Sequence, residues 1–236
     1  MILVTGSATS SESMGEIWHL FEEQLKYPVT LVNFDDLNRI RWADVDVAIF
    51  PDGTYGDFPS ERLKTWVQNG GKLIAMQNAV SQLADKKAFA LRNKEDKKDD
   101  KDKKDDKDEP SIKLYANRDK EAIKTNVPGA IYKINLDNTH PLGFGLSTGY
   151  YTLKLNDEVF DYLGDEEGWN VGTIKKDAYV SGFVGQNSKA KIADGMLLGV
   201  ESAGRGSVVY FVDDPLFRSF WENGKLLFSN AVFMVQ

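Results

Sequence analysis

Four short apolar runs, ILVT (2–5), VTLVNF (29–34), VDVAIF (45–50) and KLIAM (72–76), recur through the first ninety residues. Each reads as a strand. The stretches after the first, third and fourth runs carry helical patterns instead. From 14 to 26, Met14, Ile17, Trp18, Phe21 and Leu25 fall on one side, with His19, Glu22, Glu23 and Lys26 opposite. SERLKTWVQNGG (60–71) has a Leu63, Trp66, Val67 stripe and a two-glycine stop, and AVSQLADKKAFALR (79–92) reads as a third helix. Strands separated by single helices argue for a parallel sheet with right-handed crossovers. The fold class expected is therefore α/β, with a mostly parallel central sheet and flanking helices.

Beyond Pro110 the pattern turns β-rich. IKLYAN (112–117), AIYKINL (130–136), YYTLKL (150–155), AYVSGFV (178–184), MLLGVES (196–202) and SVVYFV (207–212) read as strands, and a helical pattern returns only in 215–235. Between the two regions, residues 93–109 contain nothing but charge after Asn93, with seven lysines against nine acids. A segment with no apolar group to bury has nothing to offset its ordering entropy, so a disordered or solvated loop is expected there. The closing strand and helix are needed to complete the sheet begun by residues 1–90. The organisation expected is one domain, 1–236, with a charged insertion at 93–109.

Composition excludes several chemistries. The chain has 236 residues, no cysteine, a net charge of −7 and a pI near 5.0. Without cysteine there is no thiolate catalysis, disulfide or Cys-ligated zinc. Without a basic surplus, neither nucleic acid nor an anionic membrane surface is an expected partner. No apolar stretch approaches the roughly 18 residues of a membrane helix. Met1 leads straight into the first strand, the pattern expected of a domain cut from a longer polypeptide.

The polar groups that chemistry might use lie mostly behind strands. GGKLIAMQNAV (70–80) ends its strand abruptly in Gln77 and Asn78, where many α/β enzymes present a nucleophile. Asp213 and Asp214 follow SVVYFV, at the carboxyl edge where open α/β sheets bind ligands. The simpler role for Asp214 is to cap the next helix, with Pro215 at its first position and Arg218 as ion-pair partner of one of the two acids. The loop GSATSSES (6–13) also reads as a capping loop, since it lacks G-x-G-x-x-G and G-K-[ST], and no cofactor is expected. His140, in NTHPLGFG, reads as a loop histidine with a satisfied ring. His19 and Glu22 form H-x-x-E, a spacing seen in zinc sites. Their position on the outer helix face leaves no converging third ligand, so no metal is expected. No serine stands in G-x-S-x-G.

In chain order, LVTG (3–6), GEIWHLFEEQLKYPVTLV (15–32), LKTWVQNGGKLIAM (63–76), NTHPLGFG (138–145), SGFV (181–184) and GSVVYFVDDPLFRSFWENGKLLFSNAVF (206–233) resemble the class I glutamine amidotransferase-like fold. The likeness is to the version found behind the peptidase domain of bacterial zinc carboxypeptidase-like proteins. It implies a flavodoxin-like sheet, a peptidase domain as partner within the same polypeptide, and a secreted or periplasmic parent. True amidotransferases of this fold carry a cysteine after the strand matching KLIAM and His-Pro-Glu after the last strand. Here Met76, Gln77 and Asn78 stand near the first position and Asp214, Pro215 and Leu216 at the second. The resemblance thus implies a non-catalytic accessory domain with a structural, partner-binding or ligand-binding role. The alternatives are a hydrolase using His140 or the Asp213/Asp214 pair with a water, and a small-molecule or carbohydrate-binding module. The candidate pocket for all of these comprises Tyr55, Gln77, Asn78, His140, Asp213, Asp214 and Arg218.

Overall fold

The computed structural model describes residues 1–94 and 114–236. The ten strands among the described residues join one sheet. Its parallel half runs in the order β2 (Thr30–Asn33), β1 (Ile2–Thr5), β3 (Val47–Phe50), β4 (Lys72–Met76) and β10 (Gly206–Phe211). From β10 the sheet continues antiparallel through β9 (Gly195–Ala203), β7 (Gly168–Ile174), β5 (Gly129–Leu136) and β6 (Gly149–Lys154). β8 (Tyr179–Phe183) pairs with β5 beside β7. β1, β3, β4 and β10 are buried along almost their whole length, which is why their sequences are apolar without alternation.

The helices are shorter than their patterns. α1 spans Ser11–Trp18, and a π-helical segment, His19–Gln24, continues it. The side packed inward is Ser13, Glu16, Ile17, Leu20 and Phe21, while Trp18 and Leu25 are 38% and 45% exposed. The apolar stripe read from the sequence is therefore rotated by about one residue. Ser13 and Glu16 turn inward because polar partners await them behind β3 and β10, and the wider π turn resets the phase that follows.

α2 is Ser60–Gln68, but α3 is only Asn78–Ser81. The longer helix expected over 79–92 does not form. Asp85 adopts a left-handed φ of 55°, its N–H donates to Leu91 O, and Ala90 N donates to the buried carboxylate of Glu201. The strand expected at 112–117 is also absent where it can be followed. Residues Tyr115–Asn117 form a 3-10 turn leading into α4 (Arg118–Lys124). The expectation of a loose charged loop falls almost wholly outside the described residues.

α5 is Gln186–Lys191, and α6 is Glu222–Phe233, on the same side of the sheet as α1, where Phe21 and Phe228 pack at 6.1 Å between ring centroids. α6 begins well after Pro215, because residues 214–220 form an irregular turn with Arg218 and Ser219 at φ 48° and 56°. Gly224 fits α6 tightly under this turn, since a Cβ there would lie 1.8 Å from Pro215 O. Gly224→Ala should therefore destabilise the protein by about 1–3 kcal/mol through forced overpacking. Urea denaturation checks this, and an unchanged midpoint would refute the close packing.

Candidate functional site

The carboxyl ends of β3, β4 and β10 converge with the first turns of α1. Behind β4, Gln77 takes φ 48° and ψ −120°, a conformation rare for a side-chain-bearing residue, and α3 starts at the next position. This is the sharp strand-to-helix turn on which α/β hydrolases hold a nucleophile. Its backbone is fixed on both sides: Gln77 N donates to Phe211 O at 2.7 Å and Val80 N donates to Gln77 O at 2.9 Å. The residue at the apex has a neutral carboxamide, which is no nucleophile.

Asn78 is knitted into the turn behind β3. Its N–H donates to Asp52 Oδ1 at 3.1 Å and its Nδ2 to Gly53 O at 3.0 Å. The loop 6–13 is tied to the same turn. Ser10 caps α1 by accepting from Ser13 N, Ser10 N donates to Asp52 O, and Asp52 N donates to Ser13 Oγ. Tyr55 is 2% exposed, ringed by Phe34, Phe50 and Phe58, and its hydroxyl donates to Pro51 O at 2.8 Å. That position makes it part of the aromatic core under the turn.

Asp213 and Asp214 have different surroundings. Asp213 is buried, with Oδ1 2.8 Å from Lys154 Nζ and Oδ2 accepting from Thr152 Oγ1 at 2.8 Å. Lys154 is entirely buried. Tyr150, Thr152 and Lys154 alternate along the inner face of β6, so the antiparallel half sends a polar row into the carboxyl edge of the parallel half. Tyr150 is held well above the usual phenol range, by burial first and then by the charges of Asp213 and Asp214. Arg218, expected to pair with one of these acids, does not. Its side chain is 67% exposed, 3.6 Å from Glu12 and over the Phe217 ring, because the left-handed backbone at 218 turns it outward.

Asp214 caps only the short turn, accepting from Leu216 N at 2.8 Å. Its carboxyl meets that of Glu16, on the inner side of α1. Glu16 Oε1 accepts from Arg218 N at 2.6 Å, and Oε2 is buried with no donor among the described residues. Burial, then the charge of Asp214, push Glu16 up to about 8, and Asp214 is also raised, mainly by burial. Two carboxyls in contact in such a place share a proton rather than carry two charges. Glu16 was missed by sequence reasoning because the helix stripe was phased one residue off. Its signal was a charged residue at i+3 from Ser13 and i−4 from Leu20, on the face actually buried.

His140 is engaged elsewhere. It lies in the β5–β6 connection, its Nδ1 accepts from Leu142 N at 3.1 Å, its ring packs 6.1 Å from Trp169, and burial lowers its pKa. Glu22 accepts from Val29 N at 2.9 Å and so closes the entry to β2. Among the described residues no three His, Cys, Asp or Glu side chains are grouped to hold a metal. A groove of about 930 Å³ lies away from the elbow apex, lined by residues that include Lys176, Lys189, Lys191 and Asp194.

No protein-family model matches the sequence, and no curated protein matches it. The fold does match solved structures. A protein described as ThuA-like from Parabacteroides merdae is 13% identical, with 98% of this chain and 88% of that chain covered and a TM-score of 0.58. A protein described as a GMP synthase subunit from Thermoplasma acidophilum is 10% identical, with 98% and 91% covered and a TM-score of 0.59. Exo-β-1,4-mannosidase from Opitutaceae bacterium strain TAV5 is 12% identical, with 98% of this chain but 34% of that chain covered and a TM-score of 0.51. The fold is thus glutamine amidotransferase-like, of the form seen in ThuA-like proteins. At these identities the likeness extends to the fold alone.

The buried pair yields a stability test. Lys154→Met leaves Asp213 as an unpaired buried charge and should cost about 3–5 kcal/mol, whereas adding Asp213→Leu should recover much of the loss. Thermal unfolding of the single and double variants checks this, and additive losses would refute the pairing.

Proposed function

We propose that this chain is a glutamine amidotransferase-like accessory domain without thiol chemistry, serving to pack against and orient a neighbouring catalytic domain. The observation that carries this reading is Gln77. It keeps the strained backbone of a nucleophile elbow, but its side chain cannot attack a carbonyl, and the residues that follow β10 are Asp213 and Asp214, with no histidine base. The carboxyl edge is filled by protein–protein hydrogen bonds, which favours a structural role over turnover. In the mannosidase, a domain of this fold makes up about a third of a larger hydrolase chain, a precedent for service as a module. The sequence blocks quoted above make a zinc carboxypeptidase-like peptidase our proposed neighbour.

A hydrolase with Glu16 and Asp214 as an acid–base pair is the second reading, favoured by their contact and raised affinity for protons. Gln77→Cys tests the claim that the elbow no longer supports thiol chemistry. A thiol placed among carboxylates is held protonated, so the variant should release no ammonia from glutamine and should react slowly with iodoacetamide at pH 7. Measurable turnover would show that the surroundings still activate a thiol and would overturn that claim. In a thermal-shift series with amino acids, peptides and sugars, the wild-type melting temperature should stay constant. A specific ligand at 100-fold its Kd would add about 2.7 kcal/mol, a rise of several degrees, and would make the domain a binding module.

A further inference from the structure

We propose that Glu16 and Asp214 form a proton-dependent latch that ties the turn 215–219 to α1 and releases it in alkali. Three features of the geometry carry this. Glu16 Oε1 accepts the Arg218 N–H at 2.6 Å, so one carboxyl joins α1 directly to the turn. Glu16 Oε2 is buried with no donor among the described residues, and the Glu16 carboxyl meets that of Asp214, a contact that requires a proton. The turn it holds is strained, with Arg218 and Ser219 both left-handed.

The charged groups around the pair oppose a second negative charge. Glu12 on α1, Asp52 behind β3 and Asp213 behind β10 are all acidic, and each enters the electrostatics of Glu16 or Asp214. Lys154, from β6, is already bound to Asp213, and the Tyr150 hydroxyl beside them stays neutral. The Arg218 guanidinium lies outside against Glu12, leaving only its backbone N–H to stabilise the Glu16 carboxylate. Loss of the shared proton therefore sets two carboxylates in contact with no cation to spare. Moving the turn away separates them and relaxes both left-handed residues. A group whose native pKa is raised contributes stability fully below its unfolded value and loses it as pH rises through the native one, here from near 4.5 to about 8.

The test is the Arg218 backbone amide, followed by NMR from pH 6 to 9.5, with thermal unfolding over the same range. In the wild type the amide should titrate with a midpoint near 8, and the melting temperature should fall as pH rises to that point. Glu16→Gln keeps an acceptor for Arg218 N–H and supplies a permanent donor to Asp214, so the alkaline transition should vanish. Should that variant not fold, Asp214→Asn provides the same permanent donor from the other side and should also abolish the transition. A wild-type Arg218 amide insensitive to pH, or the same transition persisting in either folded variant, would overturn the proposal.

Discussion

The ion pair between Lys154 and Asp213 is the contact on which the rest of the architecture turns. Lys154 ends β6 and Asp213 follows β10, strands separated in the sheet by β9, β7 and β5, so their meeting brings the far edge of the antiparallel half back onto the carboxyl edge of the parallel half. Both charges are buried, and Thr152 satisfies the second carboxylate oxygen. Such pairs add little net stability over apolar packing, yet breaking one is expensive. Their effect here is to fix how the β-rich half is folded over, with Tyr150 and α6 carried along.

Around that pair, the carboxyl edge is organised as a polar interior. Open α/β sheets bind their ligands at this edge. Here Asp52, Asn78 and Ser13 bind one another's backbones, Asp213 binds Lys154, and Glu16 binds the turn behind β10. The elbow at Gln77 is a feature of the backbone. Its strain is held by the bond to Phe211 O and by the turn into α3, so the fold keeps it with no nucleophile to present.

In the parallel half, the edge strand β2 shows an apolar run although most of it is exposed, while β1, β3, β4 and β10 were legible in the sequence because doubly covered strands leave nearly continuous apolar runs. β7 was not, since GWNVGTI contains two glycines and its partner register slips twice against β9, with Gly172 lying flat on Leu198. β8 was found although every residue in it is exposed, because its β-branched and aromatic residues speak for strand regardless of burial. In β6 the hydrophobic choice would bury Tyr151, Leu153 and Leu155, yet the structure buries Tyr150, Thr152 and Lys154. Only the distant Asp213 explains that inversion, and local pattern carries no information about it. Glu16 was hidden for the same reason: a carboxyl turns inward on α1 because Asp214 and the Arg218 N–H, some two hundred residues later, meet it there. Asp213 and Asp214 themselves were visible as a pair behind a strand, but their separate partners were not.

Native-state hydrogen exchange can show whether buried charge pairing makes the two halves of the sheet one cooperative unit. The slowest amides of β6 and of β10 should then open with the same free energy and the same denaturant dependence. Exchange of β5, β6 and β8 at a distinctly lower free energy, with β1, β3, β4 and β10 still protected, would contradict it.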